Sequence, residues 1–361
     1  MGRLEDLHAV AGQSPWLDNL RRDWTRDGTL QAWLDRGIRG VTSNPTIFAK
    51  GIQASDAYDE QLAQVPANVS TEDAYWQLAV TDIREACDLL APIYASSGGE
   101  DGSVSLEASP FHARDTDGTV AAGLELAERI DRANLMIKVP ATLEGLPAIA
   151  ALIAAGVNVN VTLIFSIERY VAVMEAYLEG LARLRDTTIG DRARRVSQRA
   201  FLRNLARGEA YQQDAPTLYD IDERTAVAQA RRAAAIHAEV FATDAAKDLL
   251  GAGAHVQRPL WASTSTKNPA LPELLYVDSL VGPSSVNTLP DATALAFDER
   301  GDVTARIGED LEAALAWLAG LPALGIDLEA VTARLEEDGL ASFMESFEEL
   351  LGALEAKRSP A

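Results

Sequence analysis

Lys138 is the residue of this chain whose setting most strongly indicates chemistry. It lies in the apolar run Asn-Leu-Met-Ile-Lys-Val-Pro-Ala-Thr (134–142), which is typical of a strand buried on both faces. Burying an unpaired ammonium costs several kcal/mol, so a lysine there needs a strong partner or is retained because burial lowers its pKa. A neutral amine in a pocket attacks carbonyl carbons and forms a Schiff base. The alternative is an ordinary edge-strand lysine whose ammonium reaches solvent.

Other polar side chains occupy similar positions in, or at the ends of, the remaining apolar runs. In chain order they are Asp18, Asn44, Glu107, Asn160, Thr162 and Ser263. Asn160 and Thr162 alternate within one β-branched run, so they face the same side of the predicted strand. Each residue alone has an ordinary explanation, such as helix capping, a turn before proline or pairing with an arginine. Together with a buried lysine they predict a single catalytic site.

Strands and helices that would position these residues alternate along almost the whole chain. The predicted strands lie at 15–20, 40–45, 104–109, 135–139, 157–165, 256–263 and 274–281. This alternation implies a parallel sheet, and about eight such units favour a closed (β/α)8 barrel. An open sheet more often begins with a glycine-rich phosphate loop, and neither G-x-G-x-x-G nor G-x-x-x-x-G-K-[ST] occurs. Residues 1–361 are predicted to form one α/β barrel domain, with added helices at 1–14 and 327–356.

Charge and composition exclude several classes of partner. The chain has 361 residues and a net charge of −22, so nucleic acid and anionic lipid surfaces would be repelled. Cys87 is the only cysteine, which rules out an internal disulfide and a cysteine-based metal cage, and the four histidines show no metal-ligand spacing. Because no apolar run approaches about 18 residues and no leader opens the chain, we expect a cytoplasmic protein that binds neither nucleic acid nor membrane. An oligomer is compatible with the sequence.

Two segments closely resemble signature segments of the transaldolases: Gly-Val-Thr-Ser-Asn-Pro-Thr-Ile-Phe (40–48) and Leu-Met-Ile-Lys-Val-Pro-Ala-Thr-Leu-Glu-Gly-Leu (135–146). Segments 156–166, 259–264 and 276–283 also resemble that family, and above all its longer bacterial subfamily. The resemblance covers nearly the whole chain. It implies a (β/α)8 barrel, no metal or organic cofactor, and transfer of a dihydroxyacetone unit between sugar phosphates in the pentose phosphate pathway.

The resemblance also implies the catalytic roles. Lys138 resembles the Schiff-base lysine that attacks the ketose carbonyl and later releases the three-carbon unit to an aldehyde acceptor. Asp18 resembles the acid/base that takes the C4 hydroxyl proton during carbon–carbon cleavage. Glu107, with Thr162 and a water, resembles the relay that moves protons through carbinolamine formation and dehydration.

The implied substrate-binding set is less complete. Asn44 and Asn160 resemble the amides that hold the dihydroxyacetone hydroxyls, and Ser263 resembles a serine near the substrate phosphate. Arg203 falls roughly where the family places a phosphate-binding arginine, but its neighbours do not match. Lys267 follows a predicted strand end in Thr-Ser-Thr-Lys-Asn-Pro (264–269) and is the better phosphate candidate, the alternative being an exposed loop lysine.

The stretch 194–207 departs from the family pattern. The sixth strand is expected there, but the stretch lacks period-two alternation and by itself is typical of a helix or loop. One explanation is genuine divergence, with altered acceptor specificity or lost activity. The other is a shifted reading frame across about 197–220, in which case the chain would lack one barrel strand. Codons for 198–207, read one nucleotide later, permit Ser-Val-x-Ser-Phe-Val-x-Ser-Arg-Val, which resembles the missing strand.

These observations predict a transaldolase that moves dihydroxyacetone from sedoheptulose 7-phosphate to glyceraldehyde 3-phosphate. One alternative is a transaldolase-like aldolase that uses the same lysine with another acceptor. The other is an inactive barrel kept as a binding protein, or an aberrant gene product. The divergent segment favours this last alternative, whereas the intact set of Asp18, Asn44, Glu107 and Lys138 argues against it.

Overall fold

Eight parallel strands close into a barrel in the computed structural model of this chain, which describes residues 2–186, 200–205 and 219–358. Each strand pairs with the next along the chain, and the last pairs with the first. The predicted barrel is therefore confirmed. The strands are β1 Gln13–Leu17, β2 Gly40–Thr42, β3 Ser103–Glu107, β4 Leu135–Pro140, β5 Val159–Ile164, β6 Ala200–Leu205, β7 Arg258–Ala262 and β8 Ser285–Leu289.

Helices cover the outside of the barrel and bury the outer faces of its strands. They are α1 Arg3–Ala9, α2 Arg22–Asp27, α3 Thr29–Asp35, α4 Pro45–Ala54, α5 Asp59–Gln64, α6 Thr71–Ser96, α7 Thr116–Ile130, α8 Gly145–Ala154, α9 Ile167–Asp186, α10 Tyr219–Phe241, α11 Asp244–Gly251, α12 Leu275–Ser279, α13 Asp291–Arg300, α14 Leu311–Gly320 and α15 Leu328–Arg358. Over the described residues, no single helix is long and apolar enough to cross a membrane, although the bent pair 311–324 and 328–358 meets the length and composition jointly.

The last strand differs from the sequence prediction. The apolar run 274–281 forms helix α12 instead of a strand, and β8 lies further on, at Ser285–Leu289. Tyr276 on α12 and Leu280, the residue directly after it, pack against Trp261 on the outside of β7. The run is therefore apolar because it covers the barrel, whereas the strand beside β1 carries small and polar residues. The prediction of a strand at 274–281 is wrong.

The sixth strand corrects a second interpretation. Although 194–207 is typical of a helix or loop, Ala200–Leu205 forms β6 and pairs with β5 on one side and β7 on the other. Without β6, the facing edges of β5 and β7 would leave backbone groups unpaired, so barrel closure outweighs the local pattern. The sixth strand near 194–207 is therefore present, and the interpretation of that stretch as a helix or loop is wrong over Ala200–Leu205. Residues 187–199 and 206–218 lie outside the described residues, and the shifted reading frame stays a prediction that the nucleotide sequence tests.

The barrel interior has an apolar part that forms around β7, β8 and β1. Five buried side chains contact one another there: Trp16, Met136, Leu260, Ala262 and Val286. Gly40 on β2 makes room for this cluster, since a Cβ at that position would overlap the Trp16 indole. Apolar side chains that fill the interior in this way are expected of a small parallel barrel. Apart from Met136 on β4, which joins the apolar cluster, the interior along β2–β5 is largely polar and contains Lys138.

Candidate active site

Lys138 lies on β4 with no solvent-exposed surface, and its ammonium meets two oxygens. Nζ donates a hydrogen bond to the carbonyl oxygen of Ser43 at 3.0 Å, and it lies 3.4 Å from Glu107 Oε1. Ser43 directly follows β2, and Glu107 is the last residue of β3. Because β4 is paired on both sides, the alternative of an edge-strand lysine that reaches solvent is wrong.

Strand register brings a carboxylate and an amide to the level of this lysine. Glu107 is opposite Lys138 in the β3–β4 pair, and Asn160 is opposite it in the β4–β5 pair. Asn160 Nδ2 donates to Ser105 Oγ at 2.8 Å, which fixes the orientation of the amide. Thr162, one alternation further along β5, is buried as well. Three of the predicted catalytic residues, Lys138, Glu107 and Thr162, are therefore placed on three neighbouring strands near one end of the barrel.

Several buried polar atoms around Lys138 make no hydrogen bond within the described residues. They are both carboxylate oxygens of Glu107, Oδ1 of Asn160 and Oγ1 of Thr42. Buried polar atoms in folded proteins are hydrogen-bonded in the large majority of cases, so such a concentration requires an explanation. The Glu107 carboxylate is balanced by its ion pair with Lys138. A hydroxyl-rich ligand is the kind of molecule that would supply the remaining bonds.

Asp18 and Ser263 come together at the same end of the barrel. Asp18 directly follows β1, Ser263 directly follows β7, and the Ser263 hydroxyl donates to Asp18 Oδ2 at 2.6 Å. Ser263 has a left-handed backbone (φ 51°), and its N–H donates to Thr288 Oγ1 at 3.0 Å. This conformation is uncommon for a residue with a side chain and clusters at functional sites. The carboxyl ends of the strands, where active sites of such barrels lie, thus hold a second acid.

Three predicted binding residues have simpler surroundings. Asn44 is the N-cap of α4, where its Oδ1 accepts a hydrogen bond from the N–H of Ile47 at 2.9 Å. Lys267 is exposed in the segment after β7. Arg203 lies on β6 level with Leu260, but its side chain is outside the described residues. Substrate contacts by these three residues stay predictions.

Burial also sets the protonation state of a neighbour of the site. Tyr75 on α6 is almost wholly buried, and burial raises the pKa of its phenol well above the ordinary value, with the negative charge of Glu107 adding to the effect. Tyr75 therefore stays protonated and does not act as a base. In the part of the chain that the structure describes, no three His, Cys, Asp or Glu side chains converge as a metal site would require.

Sequence reasoning missed three contributors to the lysine environment: Thr42, Ser43 and Ser105. Ser105 precedes Glu107 by two positions, so the period of a strand places both on one face and the pattern held this signal. Ser43 contributes its main-chain carbonyl, and a main-chain contact cannot be inferred from the residue type. Thr42 ends β2 at the level of Ser105, so only the strand register identifies it.

Comparisons with known proteins agree over almost the whole chain. The sequence model of the transaldolase/fructose-6-phosphate aldolase family matches residues 15–354. The chain is 44% identical over 355 residues to a transaldolase of Thermobifida fusca, and the match covers 94% of each protein. It is 45% identical over 350 residues to a transaldolase of Saccharopolyspora erythraea, again with 94% of each covered. A transaldolase of Mycolicibacterium smegmatis is 42% identical over 357 residues, with 97% of this chain and 96% of that protein covered.

Proposed function

Since the chain belongs to the transaldolase/fructose-6-phosphate aldolase family, we propose that it transfers dihydroxyacetone from sedoheptulose 7-phosphate to glyceraldehyde 3-phosphate through a Schiff base on Lys138. The observation that carries the proposal is a lysine without solvent exposure whose ammonium lies 3.4 Å from the Glu107 carboxylate. At that distance Glu107 is close to the proton that the ammonium must lose before it becomes a nucleophile.

The proposed reaction begins when the neutral Lys138 amine attacks the ketose carbonyl carbon. Glu107, together with Thr162, moves the protons that convert the carbinolamine into an iminium with loss of water. The iminium accepts the electron pair of the C3–C4 bond as Asp18 takes the C4 hydroxyl proton, so an aldose leaves and an enamine stays on the lysine. The enamine carbon then attacks the acceptor aldehyde, and hydrolysis of the new iminium restores Lys138. A positioned general base contributes on the order of 10²–10⁴ in rate.

Hydroxyl recognition in this proposal falls to amides near the lysine. Asn160 lies level with Lys138, and its Oδ1 makes no hydrogen bond within the described residues, so it suits a substrate hydroxyl donor. Asn44 keeps an amide nitrogen that can donate while its Oδ1 caps α4. Two such contacts would hold the enamine in one orientation between the two half-reactions.

The segment after β7 supports a phosphate site. The protein as a whole repels anions, with a net charge of −22, so a phosphorylated substrate needs local donors. The buried hydroxyls of Ser265 and Thr266 make no hydrogen bond within the described residues, and Lys267 follows them with an exposed ammonium. The proposal assigns phosphate binding to Ser263 and Lys267, with Arg203 on the neighbouring strand as a further contributor.

The proposal further takes 1–361 as one barrel domain in the cytoplasm. Its ligands are anionic sugar phosphates, which are confined by membranes because they are charged. A single buried cysteine, Cys87, is typical of a protein that does not depend on disulfides.

The test is borohydride trapping in the presence of fructose 6-phosphate, followed by peptide mass mapping. We expect a covalent three-carbon label on Lys138. The competing aldolase function is distinguished by measuring free dihydroxyacetone with and without an acceptor aldose. A transaldolase forms little of it, whereas an aldolase releases it. Folded protein that takes no label would refute the proposal and favour an inactive barrel.

A further inference from the structure

The C-terminal helix α15 carries an aromatic side chain to the candidate site. The ring centroid of Phe343 lies 5.9 Å from Lys138 Nζ, which is near the limit of about 6 Å for a cation–π contact. We propose that Phe343 is a specificity-determining residue: it keeps solvent from the three-carbon unit on Lys138, so that this unit passes to an aldehyde instead of being released. The inference rests on the proposed Schiff-base function of Lys138.

Phe343 lies at the boundary between the lysine and solvent. Its side chain is half-buried, whereas Lys138 beneath it has no exposed surface. The ring packs against a buried apolar cluster that includes Leu163 and Phe165 at the end of β5 and Leu340 on α15. An apolar ring in that position excludes water from the side of the site that it covers.

A close approach of α15 to β5 sets the position of the ring. Gly339 lies one helical turn before Phe343, and a Cβ there would be 2.9 Å from Leu163 Cδ2. Leu163 itself has a left-handed backbone (φ 60°) at the point where the β5–β6 register shifts. The glycine thus lets the helix lie directly on the carboxyl end of the strand that follows the lysine strand.

Polar contacts fix α15 on both sides of the ring. Before it, Glu336 pairs with Arg169 at 3.3 Å, and both side chains are largely buried. After it, Ser346 accepts a hydrogen bond from Thr46 Oγ1 at 3.0 Å, which ties the helix to α4. The ring is therefore held by the fold and does not depend on a ligand for its place.

The enamine on Lys138 can react in two ways, by transfer or by release. Solvent takes part in the first step of release and not in the first step of transfer. In transfer, the enamine carbon forms a bond to the aldehyde carbon, the aldehyde oxygen takes a proton, and an iminium results. In release, the enamine carbon takes a proton instead, water adds to the resulting iminium carbon with loss of a proton, and the C–N bond breaks. The products of release are dihydroxyacetone and the lysine amine. Excluding solvent slows the protonation and therefore favours transfer.

The test compares Phe343→Ala and Phe343→Leu with the unaltered protein, with fructose 6-phosphate as donor. The readout is the rate of free dihydroxyacetone formation divided by the rate of transfer to glyceraldehyde 3-phosphate. We expect this ratio to rise about tenfold in Phe343→Ala and less in Phe343→Leu, which keeps an apolar side chain. Met344→Ala is the matched control, because Met344 is the next residue of the helix and is exposed, and its ratio should not change.

The outcomes separate this inference from the proposed function. An unchanged ratio in folded Phe343→Ala that still takes the borohydride label would overturn the inference alone. If Phe343→Ala does not fold, an unchanged ratio in Phe343→Leu decides against it in the same way. Absence of label from the unaltered, folded protein would overturn the proposed function and this inference together.

Discussion

The two halves of the barrel interior differ in how their buried groups are used. Along β7, β8 and β1 the interior is filled by apolar side chains such as Trp16, Leu260 and Val286. Along β2–β5 it holds Glu107, Lys138 and Asn160 at one level, with carboxylate and amide oxygens that accept no hydrogen bond within the described residues. The apolar half stabilises the barrel, and the polar half leaves hydrogen-bonding capacity for a ligand.

Buried polar groups on the outer faces of β1 and β8, behind the apolar half, show what a structural role looks like. Gln13 on β1 donates to the carbonyl of Leu280 at 2.7 Å and to Ser285 Oγ at 2.8 Å. Asn287 on β8 accepts from Thr264 Oγ1 at 2.6 Å. These amides are satisfied by the protein, as most buried amides are. The difference teaches that burial alone does not identify a site; around Lys138, burial coincides with unused hydrogen-bonding capacity, an ion pair and the carboxyl ends of the strands.

The largest effect is expected from removing the lysine. Lys138→Met should abolish both transfer and borohydride labelling, because strands β2–β5, all of them described, contain no second lysine to form the iminium. Lys247→Met, which changes an exposed lysine on α11, is the control and should keep full activity. Labelled peptides from the Lys138→Met protein would show that another amine is the nucleophile. The double variant with Glu107→Gln should be inactive yet stable, since it removes both members of the buried ion pair.

The next effect contrasts two buried acids at opposite ends of β3. Glu107→Gln should lower kcat by about 10²–10⁴, because the amide cannot accept the protons that imine formation moves. Asp101, just before β3, instead pairs with Arg39 at 2.6 Å and Arg258 at 3.1 Å. Asp101→Asn should lower the free energy of unfolding by about 3 kcal/mol, because it leaves two partly buried arginines without their buried carboxylate partner.

Steady-state kinetics of both variants give kcat, and urea denaturation gives their free energies of unfolding. The expected pattern is a slow but stable Glu107→Gln protein and a less stable Asp101→Asn protein with nearly normal kcat. A reversed pattern would mean that the carboxyl end of the barrel is not where the proton transfers occur.

The apolar half is tested by creating a cavity. Leu260→Ala should lower the free energy of unfolding by about 2–5 kcal/mol, because Leu260 is fully buried in the interior cluster. Its kcat should change little at temperatures where the protein stays folded. Leu295→Ala on α13 is the control, since Leu295 is exposed and should contribute about 0.5 kcal/mol or less. A large loss of kcat with little loss of stability in Leu260→Ala would contradict the view that the apolar half serves stability and the polar half serves the chemistry.

Much of the polar half could be predicted from the sequence because its signal is local. Lys138, Glu107 and Asn160 each interrupt an apolar run, and the parallel pairing of consecutive strands then brings them to one level. The main-chain carbonyl of Ser43 and the ring of Phe343 gave no such signal, since one is not a side chain and the other is ordinary on an amphipathic helix. Their roles depend on tertiary contacts that no short pattern encodes.

The strands outside the polar half were harder to predict, and the two errors concern β6 and the run before β8. The run 274–281 has the composition of a buried strand, but it forms α12, whose apolar residues cover Trp261. The strand beside it, Ser285–Leu289, contains serine, asparagine and threonine and so lacks a strand signal. At β6 the local pattern favours helix or loop, while its neighbours β5 and β7 impose a strand.

The smallest expected effect concerns the outer side of the apolar half, where His237 on α10 makes a hydrogen bond with the carbonyl oxygen of Gln257, just before β7. Burial lowers the pKa of His237 below its ordinary value of 6.5, although that hydrogen bond opposes the shift. The unfolded chain therefore binds a proton at this residue at a higher pH than the folded protein does. The resulting stability is complete above about pH 6.5 and is lost as the pH falls towards the pKa of the folded state.

His237→Gln should therefore weaken the dependence of the unfolding free energy on pH between about 5 and 7. One proton contributes at most about 1.4 kcal/mol per pH unit to that slope. Urea denaturation of both proteins across this range measures it, and their difference at pH 8, where both states are neutral at this residue, isolates the pH-independent cost of the substitution. Equal slopes would show that His237 does not link packing around β7 to pH. A weaker slope with kcat unchanged at pH 8 would show that a group packed outside the apolar half affects stability and not the chemistry at Lys138. The contrast between the two halves would then hold for the surrounding helices as well.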